Sequence, residues 1–86
     1  MPFVYLIKSV NNNYYYVGST SNVDNRLRQH NNGEVRSTKF RKPYELVYIE
    51  KYDSIQEARV RERQVKKSRS IKQGILDKIT APSSNG

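Results

Sequence analysis

The chain has 86 residues, and its 16 Lys and Arg against eight Asp and Glu leave a net charge of +8. It has no cysteine, which excludes a disulfide framework and a thiolate metal site. No apolar run approaches the roughly 20 residues of a membrane-spanning helix, and the opening MPFVYLIKSV, without a basic n-region or a long apolar stretch, is not expected to act as a signal peptide. One small domain with a radius of gyration of about 12 Å is expected. So basic a chain favours a polyanionic partner, nucleic acid before a membrane surface, because its basic helices lack the Trp/Phe/Leu face of an interfacial helix. A merely solvated basic surface is the alternative.

In chain order, FVYLIKSV (3–10) is β-branched and aromatic and predicts a strand. NNN (11–13) predicts a turn, since asparagine tolerates left-handed backbone and makes side-chain turn bonds. YYYVGS (14–19) predicts a second strand and so a hairpin. A helix follows, with Ser21 or Asn22 as cap, Asp24 in its first turn and Gly33 as its stop. Residues 33–44 read as a loop with room for a short helix, in which Arg36, Lys39, Arg41 and Lys42 interleave with Phe40 and Tyr44. Pro43 pushes Lys42 towards extended backbone. ELVYIEKY (45–52) predicts a third strand. SIQE (54–57) is a capping box that opens a basic helix to about Lys67. SIKQ (70–73) reads as a second box, opening a short helix with Ile71, Ile75 and Ile79 on one face. Residues 80–86 form a polar tail, expected to be disordered. The order β-β-α-β-α-α predicts a small α/β (α+β) fold over residues 1–79, a three-stranded antiparallel sheet flanked by helices.

Three features break the local pattern. Val23, Leu27 and His30 form the core stripe of the first helix, with Arg26 along its edge. Arg26 then either snorkels to solvent or is paired. On the helix over 54–67, Glu62 falls on the inward face with Ile55, Ala58 and Val65, while Arg59, Arg61, Arg63, Lys66 and Lys67 point elsewhere. An inward carboxylate needs an arginine, such as Arg26, or a metal ion. In the second strand, Tyr14, Tyr16 and Gly18 share a face and Tyr15 takes the other. If Tyr5 stands opposite Gly18, two hydroxyls point into a notch that the glycine leaves free of bulk. Plain aromatic packing accounts for the same residues.

The ordered set Tyr5, YVG at 16–18, Arg26 and a lone helical Glu62 resembles the GIY-YIG nuclease domain. FVY at 3–5 stands at the first name-giving tripeptide and YVG at the second. TSNVDNRLRQHNNG resembles the family's arginine–histidine helix, KPYELVYIE its intervening strand, and EARVRERQVKK its glutamate helix. The likeness covers residues 3–79 and is nearest to small stand-alone bacterial-type proteins related to the nuclease domain of an excision-repair enzyme. Two departures stand out. Phe3 replaces the first motif glycine, and Ser19 stands where the repair branch has a lysine. If that lysine lowers the tyrosine pKa, another group must do so here, and His30 is one candidate.

The resemblance implies metal-dependent hydrolysis of DNA phosphodiester bonds, structure-selective or weakly specific, in repair or recombination. Glu62 would hold Mg²⁺ or Mn²⁺, Arg26 would grip the scissile phosphate, Tyr16 would activate water, and Tyr5 would orient it. His30 would accept a proton or orient Tyr16, and Gly18 would admit the substrate backbone. Arg36, Lys39, Arg41 and Lys42 of the loop, with Arg63, Lys66 and Lys67, are the expected DNA-tracking cations. The partner is then DNA, branched or single-stranded, with no membrane and no obligate protein partner expected. The implied location is the cytoplasm, with nucleoid association in a bacterium. A non-catalytic nucleic-acid-binding module and a basic RNA- or ribosome-associated protein remain alternatives, since phosphate contacts are alike in all three.

Overall fold

The computed structural model describes residues 1–80. Three strands, β1 (Phe3–Ser9), β2 (Tyr15–Thr20) and β3 (Tyr44–Lys51), alternate with α1 (Val23–Asn31), α2 (Ile55–Lys67) and α3 (Arg69–Thr80) in the order β-β-α-β-α-α. This is the expected α+β architecture. A single 3₁₀ turn, Lys39–Arg41, is the short helix of the loop. Of the expected polar tail, Thr80 closes α3 and the rest lies outside the described residues.

The strands pair antiparallel in the order β2-β1-β3. The central strand β1 is covered on both sides, which is why its sequence is apolar almost without alternation. Val4 and Leu6 face one way and join Val17, Ala58, Val65 and Ile75 in a core under α2 and α3. Tyr5 and Ile7 face the other way and pack with Tyr44, Tyr14, Tyr16, Val23 and Leu27 under α1. Each fully buried Val, Leu or Ile here contributes about 1.5–3 kcal/mol. Tyr15 packs on the α2/α3 side, opposite its two tyrosine neighbours.

Local signals explain most of the element ends. The Asn12 side chain accepts from the Tyr14 amide at 2.9 Å and shapes the hairpin turn. Asn22 caps α1 by accepting from the Asn25 amide. After α1, Gly33 takes φ +76, and its amide bonds back to the His30 carbonyl. Ser54 and Glu57 form the capping box of α2.

Two expectations need correction. The cap of α3 is Ser68, whose hydroxyl accepts from the Ile71 amide at 3.3 Å. Ser70 lies inside the helix, which begins at Arg69 because Ser68 already has extended backbone and leaves its hydroxyl free to cap. The third strand, expected to alternate, has a bulge. Leu6 pairs with Tyr48 and Ile7 with Leu46, so Val47 is the extra residue. The bulge turns Val47 and Tyr48 to the α2/α3 core and leaves Leu46 and Ile49 on the α1 side.

Glu50 locks α2 to β3. Its carboxylate accepts from Tyr48 and Tyr52, both at 2.7 Å, and from Arg61 at 2.9 and 3.2 Å. Burial works against its charge, but these donors outweigh it and hold its pKa below the usual carboxylate range. Arg61, expected to point outward, is therefore half-buried in an ion pair.

Candidate active site

The hairpin register sets Tyr5 directly opposite Gly18. The Tyr5 ring lies across the glycine. A Cβ on Gly18 would collide with the Tyr5 hydroxyl and lie 2.5 Å from its Cζ. The space that Gly18 leaves is thus filled by Tyr5 rather than open to a substrate backbone, and Gly18 is itself buried. This corrects the expected role of the glycine.

Tyr5 is 2% exposed, and its hydroxyl lies 2.8 Å from His30 Nε2. His30 Nδ1 lies 2.7 Å from the hydroxyl of Thr38, which donates to the Val35 carbonyl at 3.3 Å. This arrangement fits the tautomer in which Thr38 gives its proton to Val35 and accepts from Nδ1–H, with Nε2 accepting from the Tyr5 O–H. His30, Thr38 and Ile7 are all buried. Burial, reinforced by Arg26, lowers the His30 pKa to about 4, so the ring is neutral at pH 7. Burial pushes the Tyr5 phenol up to about 12, against the opposing pull of Arg26. Tyr5 therefore keeps its proton and points it at His30. The histidine, expected to serve Tyr16 by accepting or orienting, hydrogen-bonds Tyr5 and meets Tyr16 only through an edge contact with centroids 5.0 Å apart.

Tyr16 is half-buried on β2, with its ring 6.4 Å from that of Tyr5. Arg26 is half-buried beside Tyr5 and His30, and its Nη1 donates to Gln29 at 2.9 Å. The Tyr44 ring closes the aromatic group, with its hydroxyl donating to the Thr38 carbonyl at 3.0 Å. Tyr14 packs against Tyr44 and under the Arg41 guanidinium, 4.4 Å from its centroid.

Glu62 comes from the other side of the sheet. Gly18 faces Tyr5, so Ser19 must face α2. The Ser19 hydroxyl donates to Glu62 Oε1 at 2.5 Å, and Lys66 Nζ donates to Oε2 at 2.6 Å. The same ammonium lies 5.4 Å over the Tyr16 ring. An inward Glu62–Arg26 ion pair is not formed; the Glu62 partner is Lys66, on its own helix. Lys66, expected to point elsewhere, thus curls over both carboxylate and phenol. The residues gather around the edge strand β2, with phenols on one face and carboxylate on the other, and not in a hollow on a single face. Only an edge strand allows this, because no further strand blocks passage round it.

A groove of about 400 Å³ opens at Glu62, lined by Ser19, Arg59, Arg63, Lys66 and Lys67. Arg63 and Lys67, expected as tracking cations that point away from Glu62, line this groove beside it. Arg59 is not among the expected tracking cations, although its four-residue spacing from Arg63 puts both on one helix face. Arg36, Lys39, Arg41 and Lys42 lie apart from this groove, exposed on the loop beside His30 and Tyr44. Thr38 is absent from the expected site residues, and no local pattern marks it. Among the described residues no three His, Cys, Asp or Glu gather to cage a metal. Glu62 nevertheless suits one hard divalent ion, since its carboxylate already attracts a cation and a hydroxyl stands beside it. Mg²⁺ in particular keeps waters and takes few protein ligands. No described helix is long and apolar enough to cross a membrane.

The sequence profile of the GIY-YIG catalytic domain matches residues 1–73. A UPF0213 protein of Staphylococcus epidermidis is 43% identical over 65 residues, covering 74% of this chain and 78% of that protein. One from Clostridium perfringens is 38% identical over 68 residues, covering 78% and 72%. The solution NMR structure of a UPF0213 protein from Bacillus halodurans is similar with a TM-score of 0.56 at 30% identity, over 95% of this chain and 89% of that one.

Proposed function

Because the chain belongs to the GIY-YIG catalytic domain family, we propose that it is an endonuclease that hydrolyses DNA phosphodiester bonds with the help of a divalent ion. It selects structure, or selects weakly, and serves repair or recombination in the cytoplasm, close to the nucleoid in a bacterium. The observation that carries this reading is Lys66. One ammonium touches Glu62 at 2.6 Å and overlies Tyr16 at 5.4 Å, so the carboxylate and the exposed edge of the phenol group flank one spot on the rim of β2.

Each side chain has a task in this reading. Tyr16, half-buried, takes the proton from the attacking water. Lys66 sets a positive charge over the ring, from a helix instead of from position 19. Tyr5, held as a donor to His30, fixes the geometry of the pair and leaves its oxygen lone pairs towards Arg26. Arg26 presents a planar fork to the scissile phosphate. Glu62, with Ser19 steadying one oxygen, would hold Mg²⁺ or Mn²⁺, which would neutralise charge on the phosphoryl group and the departing oxygen. Arg59, Arg63 and Lys67 draw the neighbouring phosphates into the groove.

A panel of flaps, forks, nicks and single strands, each with Mg²⁺, Mn²⁺ or EDTA, tests the proposal. Cleavage should need the metal, disappear in Glu62→Gln and fall steeply in Tyr16→Phe. Variants that cut as well as the parent overturn the assigned roles. A protein that binds DNA but cuts none of these structures is a binding module.

A further inference from the structure

We propose that Phe40 is a stacking platform for an unpaired base, which makes single-stranded or branched DNA the preferred substrate class. The inference rests on the nucleic-acid reading above and does not depend on cleavage. Phe40 is 84% exposed, more than any other large apolar side chain described. A ring so placed gains nothing from burial. Nor is it exposed because its loop is loose. The Ser9 hydroxyl donates to the Arg41 carbonyl at 2.7 Å, and the Val10 amide bonds the Pro43 carbonyl at 2.9 Å. The buried Thr38 is pinned to His30 and, through its carbonyl, to Tyr44. These tethers on both sides of position 40 hold the ring out on a fixed frame, next to the face that carries Tyr5 and Tyr16.

The surroundings identify the occupant by charge. Lys39 Nζ lies 5.0 Å over the Phe40 ring. Arg36, Arg41 and Lys42 are exposed on the same loop, and residues 35–44 contain no acid. An apolar ring flanked by cations matches a base between phosphates, and aromatic stacking of this kind accepts any base. Bases in a duplex are already stacked on each other and offer no free face. The ring therefore finds its partner where strands separate, as in flaps, forks and single strands.

The protein has no tryptophan, so Phe40→Trp puts one fluorophore at the site. Its emission should be quenched by a short oligothymidylate in EDTA, where no cleavage can occur, and much less by a duplex of equal length. Phe40→Ala should weaken single-strand and flap binding about 5- to 150-fold while leaving duplex binding nearly unchanged. Lys39→Ala should weaken both and lower the salt slope of each, because one phosphate contact is lost. Equal quenching by duplex, or a Phe40→Ala variant that binds single strands as the parent does, overturns the inference. Binding that discriminates by Phe40 in a protein that never cuts would leave the inference standing and remove the nuclease reading. Cutting without such discrimination does the reverse.

Discussion

The two sides of β2 hold chemical groups in opposite ways. On one side, Tyr5, His30 and Thr38 are buried, neutral and joined by short hydrogen bonds. On the other, Glu62 and Lys66 meet at the rim of an open, strongly basic groove. Burial fixes the first set, because each polar atom must find its partner inside or lose more than it gains. Charge arranges the second, and water and salt can rearrange it at little cost. The tyrosine side is thus a rigid frame, and the glutamate side is built for exchange, with a lysine resting where a divalent ion is proposed to bind.

The contrast can be broken most strongly at the chemistry itself. Tyr16→Phe should reduce cleavage by about 10²–10⁴-fold, the range of general-base loss. Its urea midpoint should hardly move, since the hydroxyl of this half-buried ring anchors nothing in the core. A variant that unfolds readily would make Tyr16 part of the frame instead.

The next largest effect is expected from pH. His30 is neutral in the fold, with its pKa lowered from 6.5 to about 4. The unfolded chain takes up that proton first as pH falls, so stability is full above pH 6.5, drops through the interval, and levels off below about 4. The loss attributable to this histidine reaches about 3 kcal/mol. Urea unfolding at stepped pH measures it, and His30→Gln should flatten that segment of the curve. A wild-type curve with no slope there would mean that the ring is not shielded.

Smaller again is Gly18→Ala. The added methyl must displace the Tyr5 phenol, costing about 1–3 kcal/mol of stability and detaching Tyr5 from His30. Cleavage should fall with it. Unchanged stability would show that the ring can move aside freely. The smallest stability effect belongs to Lys66→Met. Its exposed pair with Glu62, one helical turn apart, contributes about 0.3–0.5 kcal/mol. Calorimetric titration should nevertheless find tighter Mn²⁺ binding once the resident ammonium is gone, with slower cleavage. Unaltered affinity would separate Lys66 from the Glu62 site.

What was legible in the sequence was mostly local. The Asn22 and Ser54 caps, the asparagine turn and the facing of Tyr5 and Gly18 each depend on residues within one turn or one hairpin, and all are found. The same spacing put the glutamate helix and the arginine–histidine helix in the right order. Apart from the cap of α3, which fell to Ser68 and not Ser70, what escaped depends on contacts distant in the chain. Val47 bulges because two cores on opposite faces must both be filled. Thr38 matters only because its loop closes over His30, and Arg61 turns inward only because Glu50 awaits it. Helical periodicity put Glu62 inward but could not say on which face of the sheet its helix would pack.

Since β2 is an outer strand, its free flank is also a place where another polypeptide strand could zip on. Any neighbour that joined there would lie across Tyr16 and Ser19 and shutter the centre. Self-association through that flank would silence the molecule, so an active oligomer has to be assembled through some other surface, such as the far margin along β3.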